Sequence, residues 1–135
     1  FSRKKNFINI RLIIFILILS CSSIVNFEKS KYENGKMRYK IAKKNDIFHG
    51  TAKYWNETGE LINKVEYLNG MLHGEWIDYY KTGDVSSITM YKFDKKDGLE
   101  IHYHKNGNKK SETIYKDGIK IYDTLRWDYN GRLIK

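Results

Sequence analysis

The chain has 135 residues, with 25 lysines and arginines against 16 acidic residues, 15% aromatic residues and no proline. This length corresponds to one domain, and the aromatic content excludes a disordered chain. The single cysteine excludes a disulfide framework within the chain and a multi-cysteine metal site.

The first twenty residues have the three parts of a signal peptide. Basic residues precede an uninterrupted apolar run, Leu12–Leu19, and a small residue, Ser20, follows it. The run of 8 residues is far shorter than the roughly 20 that a membrane-spanning helix needs. The pattern therefore predicts a signal peptide helix over residues 1–20 and no transmembrane helix.

The stretch "ILSC" at 18–21 resembles the lipobox of bacterial lipoproteins. In that family the cysteine becomes the first mature residue and carries a diacylglyceryl group and a further acyl chain. The resemblance implies a lipid anchor on Cys21, a tether over residues 21–31 and a place in the bacterial cell envelope, facing the periplasm or the surface. Without residues 1–20 the net charge falls from +9 to +5. This mild excess is spread along the chain and does not predict a nucleic-acid partner.

Glycine recurs with a period of 24 residues along the rest of the chain. A second glycine series follows the first by 15 residues and is broken by Tyr122. Because a catalytic loop is expected only once, recurring glycines indicate structural turns where φ is positive or a side chain has no room. The first series is Gly35, Gly59, Gly83, Gly107 and Gly131, and the second is Gly50, Gly74 and Gly98.

Between the glycines the residues alternate with the period of a β-strand, as in "ELINKVEY" (60–67) and "EWIDYY" (75–80). We therefore predict an all-β fold, an elongated single-layer antiparallel meander of β-hairpins over residues 32–135, with four repeats and a partial fifth. Because 24 is even, equivalent residues should stack in rows across the sheet. The predicted rows are Lys53, Ile77, Ile101, Leu125 and Trp55, Tyr79, Tyr103, Trp127.

The unit "YLNGMLHGEWIDYYKTGDV" (67–85) resembles the bacterial variant of the MORN repeat, Y-x-N-G-x-x-x-G-x-W-x-x-Y-x-x-x-G. Asp46 and Asp94 stand where the second repeat has Gly70, and Tyr122 replaces the second glycine of the fourth repeat. The resemblance implies a twisted antiparallel sheet and a binding or scaffold role at proteins or membrane lipids. Many bacterial members are labelled antitoxins of toxin–antitoxin systems.

No motif predicts an enzyme. The acidic residues form no pair suited to acid–base chemistry, and "NGMLHG" lacks both the length and the following helix of a phosphate-binding loop. His102 and His104 share one face of a predicted strand, but no third ligand stands at a fixed spacing. We expect no catalytic residue, no metal site and no cofactor.

Aromatic residues are the predicted partner-binding side chains, because large exposed aromatic patches mark interaction sites. The alternative is that they stack across strands and only stabilise the sheet. The candidates are Trp55, Trp76, Tyr79, Tyr80, Tyr103 and Trp127. The second face of the sheet is predicted to carry Tyr54, Ile62, Trp76, Tyr80, Ile88, Met90 and Ile114.

Two functions agree with these features. The first is a membrane-anchored lipoprotein whose repeat domain contacts an unidentified protein or a membrane surface, with a homodimer through edge strands as a further possibility. The second is an antitoxin or immunity protein that binds and neutralises a cognate toxin.

Overall fold

Short runs of β-branched and aromatic residues between glycine- and asparagine-containing turns form the strands of a single sheet. A computed structural model describes residues 25–134, which contain ten strands and no helix, so none of these residues lies in a helix able to cross a membrane. The strands are β1 Val25–Lys31, β2 Met37–Lys44, β3 Ile47–Trp55, β4 Leu61–Leu68, β5 Met71–Tyr79, β6 Val85–Lys92, β7 Lys95–Tyr103, β8 Lys109–Lys116, β9 Ile119–Lys120 and β10 Leu125–Arg126.

The strands pair with their neighbours in chain order, all antiparallel, from β1 to β8. The short strands β9 and β10 both pair with the outer side of β8. This single open sheet of consecutive hairpins confirms the predicted fold class. The predicted signal peptide helix and Cys21 lie outside the described residues.

Residues 25–31, which the sequence predicts as part of a tether, form strand β1 instead. They pair with β2 from Val25 opposite Lys44 to Lys31 opposite Met37. Strand β1 keeps the 24-residue register of the repeats, but "VNFEKSK" carries neither the glycine nor the aromatic residue that mark the later copies. The sequence did not reveal this strand, because β1 keeps the spacing of the repeats but lacks their motif residues.

Turns at one edge of the sheet have two residues, both with positive φ, as type I′ turns require. In Asn69-Gly70 the φ values are 51° and 85°. The same turn forms without glycine at Asn45-Asp46 and Phe93-Asp94, where Asp46 and Asp94 have φ of 60° and 65°. The two aspartates therefore depart from the repeat motif without changing the turn, since aspartate tolerates this region better than most residues.

Turns at the opposite edge carry the first glycine series. The N–H of Gly83 donates to the carbonyl of Tyr80 at 2.9 Å, and the N–H of Tyr80 donates to the carbonyl of Asp84 at 2.8 Å. This arrangement is a hairpin turn closed by a residue with positive φ. The five glycines of this series have φ between 81° and 90°.

The second glycine series does not lie in turns, which corrects the prediction for Gly50, Gly74 and Gly98. These glycines lie inside β3, β5 and β7, at bulges where three residues oppose one residue of the preceding strand. A Cβ on Gly98 would lie 3.1 Å from the Cβ of Met90, the single residue that faces it. The series recurs because each bulge needs both positive φ and space.

The hydrophobic core lies on one side of the sheet and is built around Ile41, Ala52 and Val65, which are at most 5% exposed. We call this side the core face. Tyr54 and Trp76 also lie on it, so their predicted placement with Ile62 and Ile88 is wrong. Because Tyr54 pairs with Asn63 and Val65 with Trp76, the core face has even residue numbers in β3 and β5 and odd numbers in β4, so one parity does not mark one face of the sheet.

The fourth repeat is irregular where Tyr122 replaces the bulge glycine. Instead of one strand with a bulge, residues 119–126 form two short strands, β9 and β10, separated by residues 121–124. Tyr122 is 66% exposed, and the sheet resumes where Leu125 pairs with Glu112. Because tyrosine does not readily adopt the φ of the bulge glycines, the strand breaks here.

Candidate binding surface

One row of side chains crosses the whole sheet on the side opposite the core face. Direct cross-strand pairs connect it without a gap, and we call it the central row. The side of the sheet that carries it is the open face. In order from β1 to β8 and then β10, the central row is Lys29, Lys40, Lys53, Lys64, Ile77, Ile88, Ile101, Glu112 and Leu125.

The central row changes character along its length. Its first four members are lysines, the next three are isoleucines, and Glu112 and Leu125 close it. Ile77 is 9% exposed, whereas Leu125 at the far end is 43% exposed. The predicted row of Lys53, Ile77, Ile101 and Leu125 thus consists of alternate members of a longer row. The surface is cationic at one end and apolar in the middle.

Four of the predicted aromatic residues lie beside the central row, each two residues further along the chain than a member of the row. They are Trp55, Tyr79, Tyr103 and Trp127, all partly buried. The Nζ of Lys109, which pairs with Tyr103, lies 4.9 Å from the centre of the Trp127 ring. This spacing permits a cation–π contact. The open face therefore combines a line of aromatic rings with a parallel line of cations and isoleucines.

Shallow recesses lie between these two lines. One of about 230 Å³ is bounded by two aromatic side chains, two lysines and a threonine hydroxyl: Phe27, Trp55, Lys40, Lys53 and Thr51. Another, of about 380 Å³, lies near Tyr103 and Ile88. The first recess offers cations beside aromatic rings, and the second is lined by both apolar and polar residues.

Trp76 and Tyr80, the other two predicted aromatic residues, do not join this surface. Trp76 packs on the core face beside Ile41, Ala52 and Val65. The hydroxyl of Tyr80 donates to the backbone carbonyl of Tyr103 at 2.6 Å, 23 residues along the chain. The same inter-turn bond recurs from Tyr32 to Trp55 at 2.7 Å. Tyr80 therefore holds neighbouring turns together.

A polar network lies on the core face where its apolar cluster ends. Asp78 accepts hydrogen bonds from Asn63 Nδ2 at 2.7 Å, Trp76 Nε1 at 3.0 Å and Ser87 Oγ at 2.9 Å. Since buried donors need acceptors, one carboxylate here satisfies three side chains of three strands. The network orients Trp76 and has no access to the open face.

Ion pairs stabilise charges on the core face and at the turns. Lys43 Nζ lies 2.6 Å from Glu28, and this hydrogen bond lowers the pKa of the Glu28 carboxyl. Lys116 lies 2.8 Å from Asp97 and lowers the pKa of that carboxyl in the same way. Burial on the core face raises the pKa of Tyr54 to about 12.

The two histidines singled out in the sequence do not form a metal site with other residues. His102 is exposed on the core face, and His104 Nε2 lies 3.0 Å from the carbonyl of Trp127. Among residues 25–134, no three His, Cys, Asp or Glu side chains converge on one point. His104 occupies the same inter-turn position as Tyr80.

The lysines of the central row were missed as candidate binding residues. Their signal is present in the sequence, because Lys29 and Lys53 are 24 residues apart, as are Lys40 and Lys64. Taken alone, each pair looks like an ordinary solvent-exposed lysine that recurs in two consecutive repeats. Only the pairing register, which interleaves the two pairs, reveals an unbroken line of four lysines.

Residues 48–69, 72–93 and 96–117 match the family model described as the MORN repeat variant. These matched stretches are three consecutive repeats of the chain. Each matched copy spans one hairpin, namely β3–β4, β5–β6 and β7–β8, closed by a glycine of the first series. The predicted resemblance is thereby confirmed for three consecutive repeats, and MORN repeats suggest a binding or scaffold role. No curated protein matches the chain.

Proposed function

We propose that this chain is a bacterial lipoprotein, anchored through Cys21, whose MORN repeats bind a protein or membrane surface with their open face. One observation carries the binding role. The described residues form a single layer, and apolar side chains remain exposed on the open face, with Phe27 at 49%, Leu99 at 40% and Leu125 at 43%. Together with the row of lysines and the line of aromatic rings on the same face, these side chains support a binding surface.

The anchor and the sheet are close together in sequence. Strand β1 begins at Val25, four residues after Cys21. Four extended residues reach about 14 Å, so a lipid on Cys21 would hold the β1 edge near the membrane. The later strands would then extend outward, with the central row running away from the bilayer.

The anchor is tested by fractionating cells that express the full chain or its Cys21→Ala variant, with labelling of acyl chains. We expect the wild type to be labelled and membrane-bound and the variant to be neither. If both proteins remain unlabelled and cytoplasmic, the lipoprotein function is wrong. The antitoxin hypothesis would then take first place, with a toxin encoded nearby as its expected partner.

The binding role is tested by site-specific photo-crosslinking in the same cells. A photoreactive amino acid at Ile101 projects from the open face, and the neighbouring His102 provides the control because it is exposed on the core face. We expect one discrete crosslinked product from position 101 and none from position 102. Equal products from both positions, or none from either, would contradict binding through the open face.

A homodimer through edge strands is the proposed assembly. The C-terminal edge offers apolar side chains, with Ile119 at 72%, Tyr122 at 66% and Ile134 at 64% exposure. Such an edge can pair with a second copy. Sedimentation of the chain without residues 1–20 should show a dimer that Ile119→Lys dissociates. A monomer at every concentration would exclude it.

A further inference from the structure

Four lysines in direct cross-strand succession are costly for a sheet. Lys29 faces Lys40, Lys40 faces Lys53, and Lys53 faces Lys64. Neighbouring strands lie about 4.8 Å apart, and like charges directly opposite each other are destabilising. The described residues do not relieve this repulsion with acidic side chains in the same row, because the next member is Ile77.

A lysine on the opposite face of the same strands has its charge balanced by a carboxylate. On the core face Lys43 contacts Glu28 at 2.6 Å. Within the row only Lys64 reaches carboxylates, Glu66 at 3.4 Å and Glu75 at 4.0 Å. Among the described residues, Lys29, Lys40 and Lys53 have no carboxylate within 4.0 Å. These three ammonium groups are available to an external anion.

The surroundings of these lysines suit a carboxylate. Lys40 Nζ lies 4.2 Å from the centre of the Phe27 ring, which holds the ammonium group over the open face. Lys40 and Lys53 both line the recess that contains the Thr51 hydroxyl and the Trp55 ring. An anion in the recess would receive charge-assisted hydrogen bonds from two lysines and contact two aromatic side chains.

The order of the row determines what kind of anion fits. At about 4.8 Å per strand, the four lysines span about 14 Å and the row continues about 14 Å further to Ile101. An extended peptide advances about 3.3 Å per residue, so about four residues cover the lysines and about four cover the isoleucines. The match requires acidic side chains in one half of the segment and apolar side chains in the other.

From this order we infer that the open face binds an extended segment of a partner protein whose acidic half lies over Lys29, Lys40 and Lys53. Its apolar half lies over the partly exposed Ile88 and Ile101, next to the buried Ile77. A nucleic acid is charged along its whole length and would place phosphates over the isoleucines. A bilayer offers head groups over its whole plane, whereas the lysines of the central row occupy one end of it only. The inference rests on the proposed binding function and adds the chemistry of the partner.

The test uses the full chain in nonionic detergent and a fluorescent synthetic peptide. The block peptide has glutamates alternating with serine, followed by leucines alternating with serine. The matched control peptide has the same composition with glutamates and leucines mixed. We expect the block peptide to bind more tightly than the mixed peptide, with affinity that falls as salt rises.

Two double variants distinguish an effect of the lysine row on binding from an effect of net charge. Lys40→Gln/Lys53→Gln should weaken binding of the block peptide about three- to thirtyfold, the sum of two exposed ion pairs. Lys81→Gln/Arg126→Gln removes the same charge from a turn and from the core face and should change the affinity less than twofold, an order-of-magnitude expectation for remote charges. Circular dichroism spectra of both variants verify the fold.

Four outcomes would overturn the inference. Equal affinity for the block and mixed peptides would show that the order of the row is not recognised. Equal weakening in the two variants would show that only net charge matters. Displacement of the peptide by phosphatidylglycerol in the micelles, without any dependence on block order, would assign the lysines to a membrane surface. A crosslink from Ile101 with no peptide binding would refute this inference and leave the proposed function intact.

Discussion

Replacing a bulge glycine should cost much more stability than replacing a turn glycine. Gly74 lies in the bulge of β5 with φ of 108°, and Gly83 lies in a turn with φ of 90°. A Cβ on Gly74 would lie 3.1 Å from the Cβ of Glu66 and would overlap the Glu66 carboxylate. A Cβ on Gly83 would have no heavy atom within 4 Å. Both sites therefore require a positive φ, but only Gly74 lacks room for a Cβ atom.

The expected magnitudes follow from these two terms. Positive φ costs an alanine about 1–2 kcal/mol at either site. At Gly74 the close contact adds about 1–3 kcal/mol, the usual cost of overpacking. Gly83→Ala should therefore lose about 1–2 kcal/mol and Gly74→Ala about 2–5 kcal/mol. With about 4 °C lost per kcal/mol in a domain of this size, the melting temperatures should separate clearly.

Thermal and urea unfolding of both variants measure the difference, and a second substitution identifies its cause. Glu66→Ala removes the overlapping carboxylate, so Glu66→Ala/Gly74→Ala should be more stable than the sum of the single changes predicts, by about 1 kcal/mol. Equal losses at Gly74 and Gly83 would refute the steric argument. Additive losses at Glu66 and Gly74 would show that the carboxylate moves aside without cost.

Three further predictions concern single charged or titratable groups. Asp78→Ala should lower the free energy of unfolding by about 2–4 kcal/mol, measured in urea, because three donors lose their acceptor; a loss below about 0.5 kcal/mol would contradict the network. Lys40→Gln/Lys53→Gln should raise the melting temperature at low salt, since like charges face each other; a decrease would show that the lysines stabilise the sheet. The raised pKa of Tyr54, about 12 against 10.0, implies stability that is present below pH 10.0 and is lost as pH rises toward 12. Tyr54→Phe should remove part of this alkaline loss in thermal unfolding, and an unchanged pH profile would contradict the assignment.

The period of 24 residues predicts the fold because an even period keeps the same face from repeat to repeat. Ile77 and Ile101 therefore lie in one row, and three matched repeats form three hairpins. Strand β1 shows the limit of motif matching. Its register is that of the repeats, yet none of its residues carries the motif, so the predicted repeat domain begins one strand too late.

The faces of the sheet were mispredicted because the core face takes odd residue numbers in one strand and even numbers in the next. Val65 pairs with Trp76, and Trp76 pairs with Thr89, so one parity does not mark one face. The bulge, where one residue of β4 faces three of β5, keeps the parity and does not change the face. At Tyr122, in contrast, the sequence does indicate the irregularity, since the missing glycine marks where the last strand divides into β9 and β10. The lysine row could not be predicted, because only the strand pairing shows that the two pairs of lysines alternate across the sheet.

The apolar packing of the sheet lies on different faces at its two ends. In β2–β4 the apolar core lies on the core face, around Ile41, Ala52 and Val65, so the open face there does not need apolar residues. In β6–β8 the core face carries buried Ser87, Thr89 and Thr113 instead. There the isoleucines of the central row must supply the apolar packing.

This division explains why lysines occur at one end of the row and isoleucines at the other. Lys40 and Lys53 lie opposite a complete core, so their replacement leaves the core packing unchanged and removes charge together with the contact of Lys40 with the Phe27 ring. Ile88 belongs both to the packing of its half of the sheet and to the proposed binding surface. Substitutions at Ile88 should therefore change stability and binding together, whereas substitutions of the two lysines should weaken binding while raising stability. Weaker binding together with higher stability in the lysine variants is the trade-off expected of a functional surface, where charge serves binding at a cost in stability.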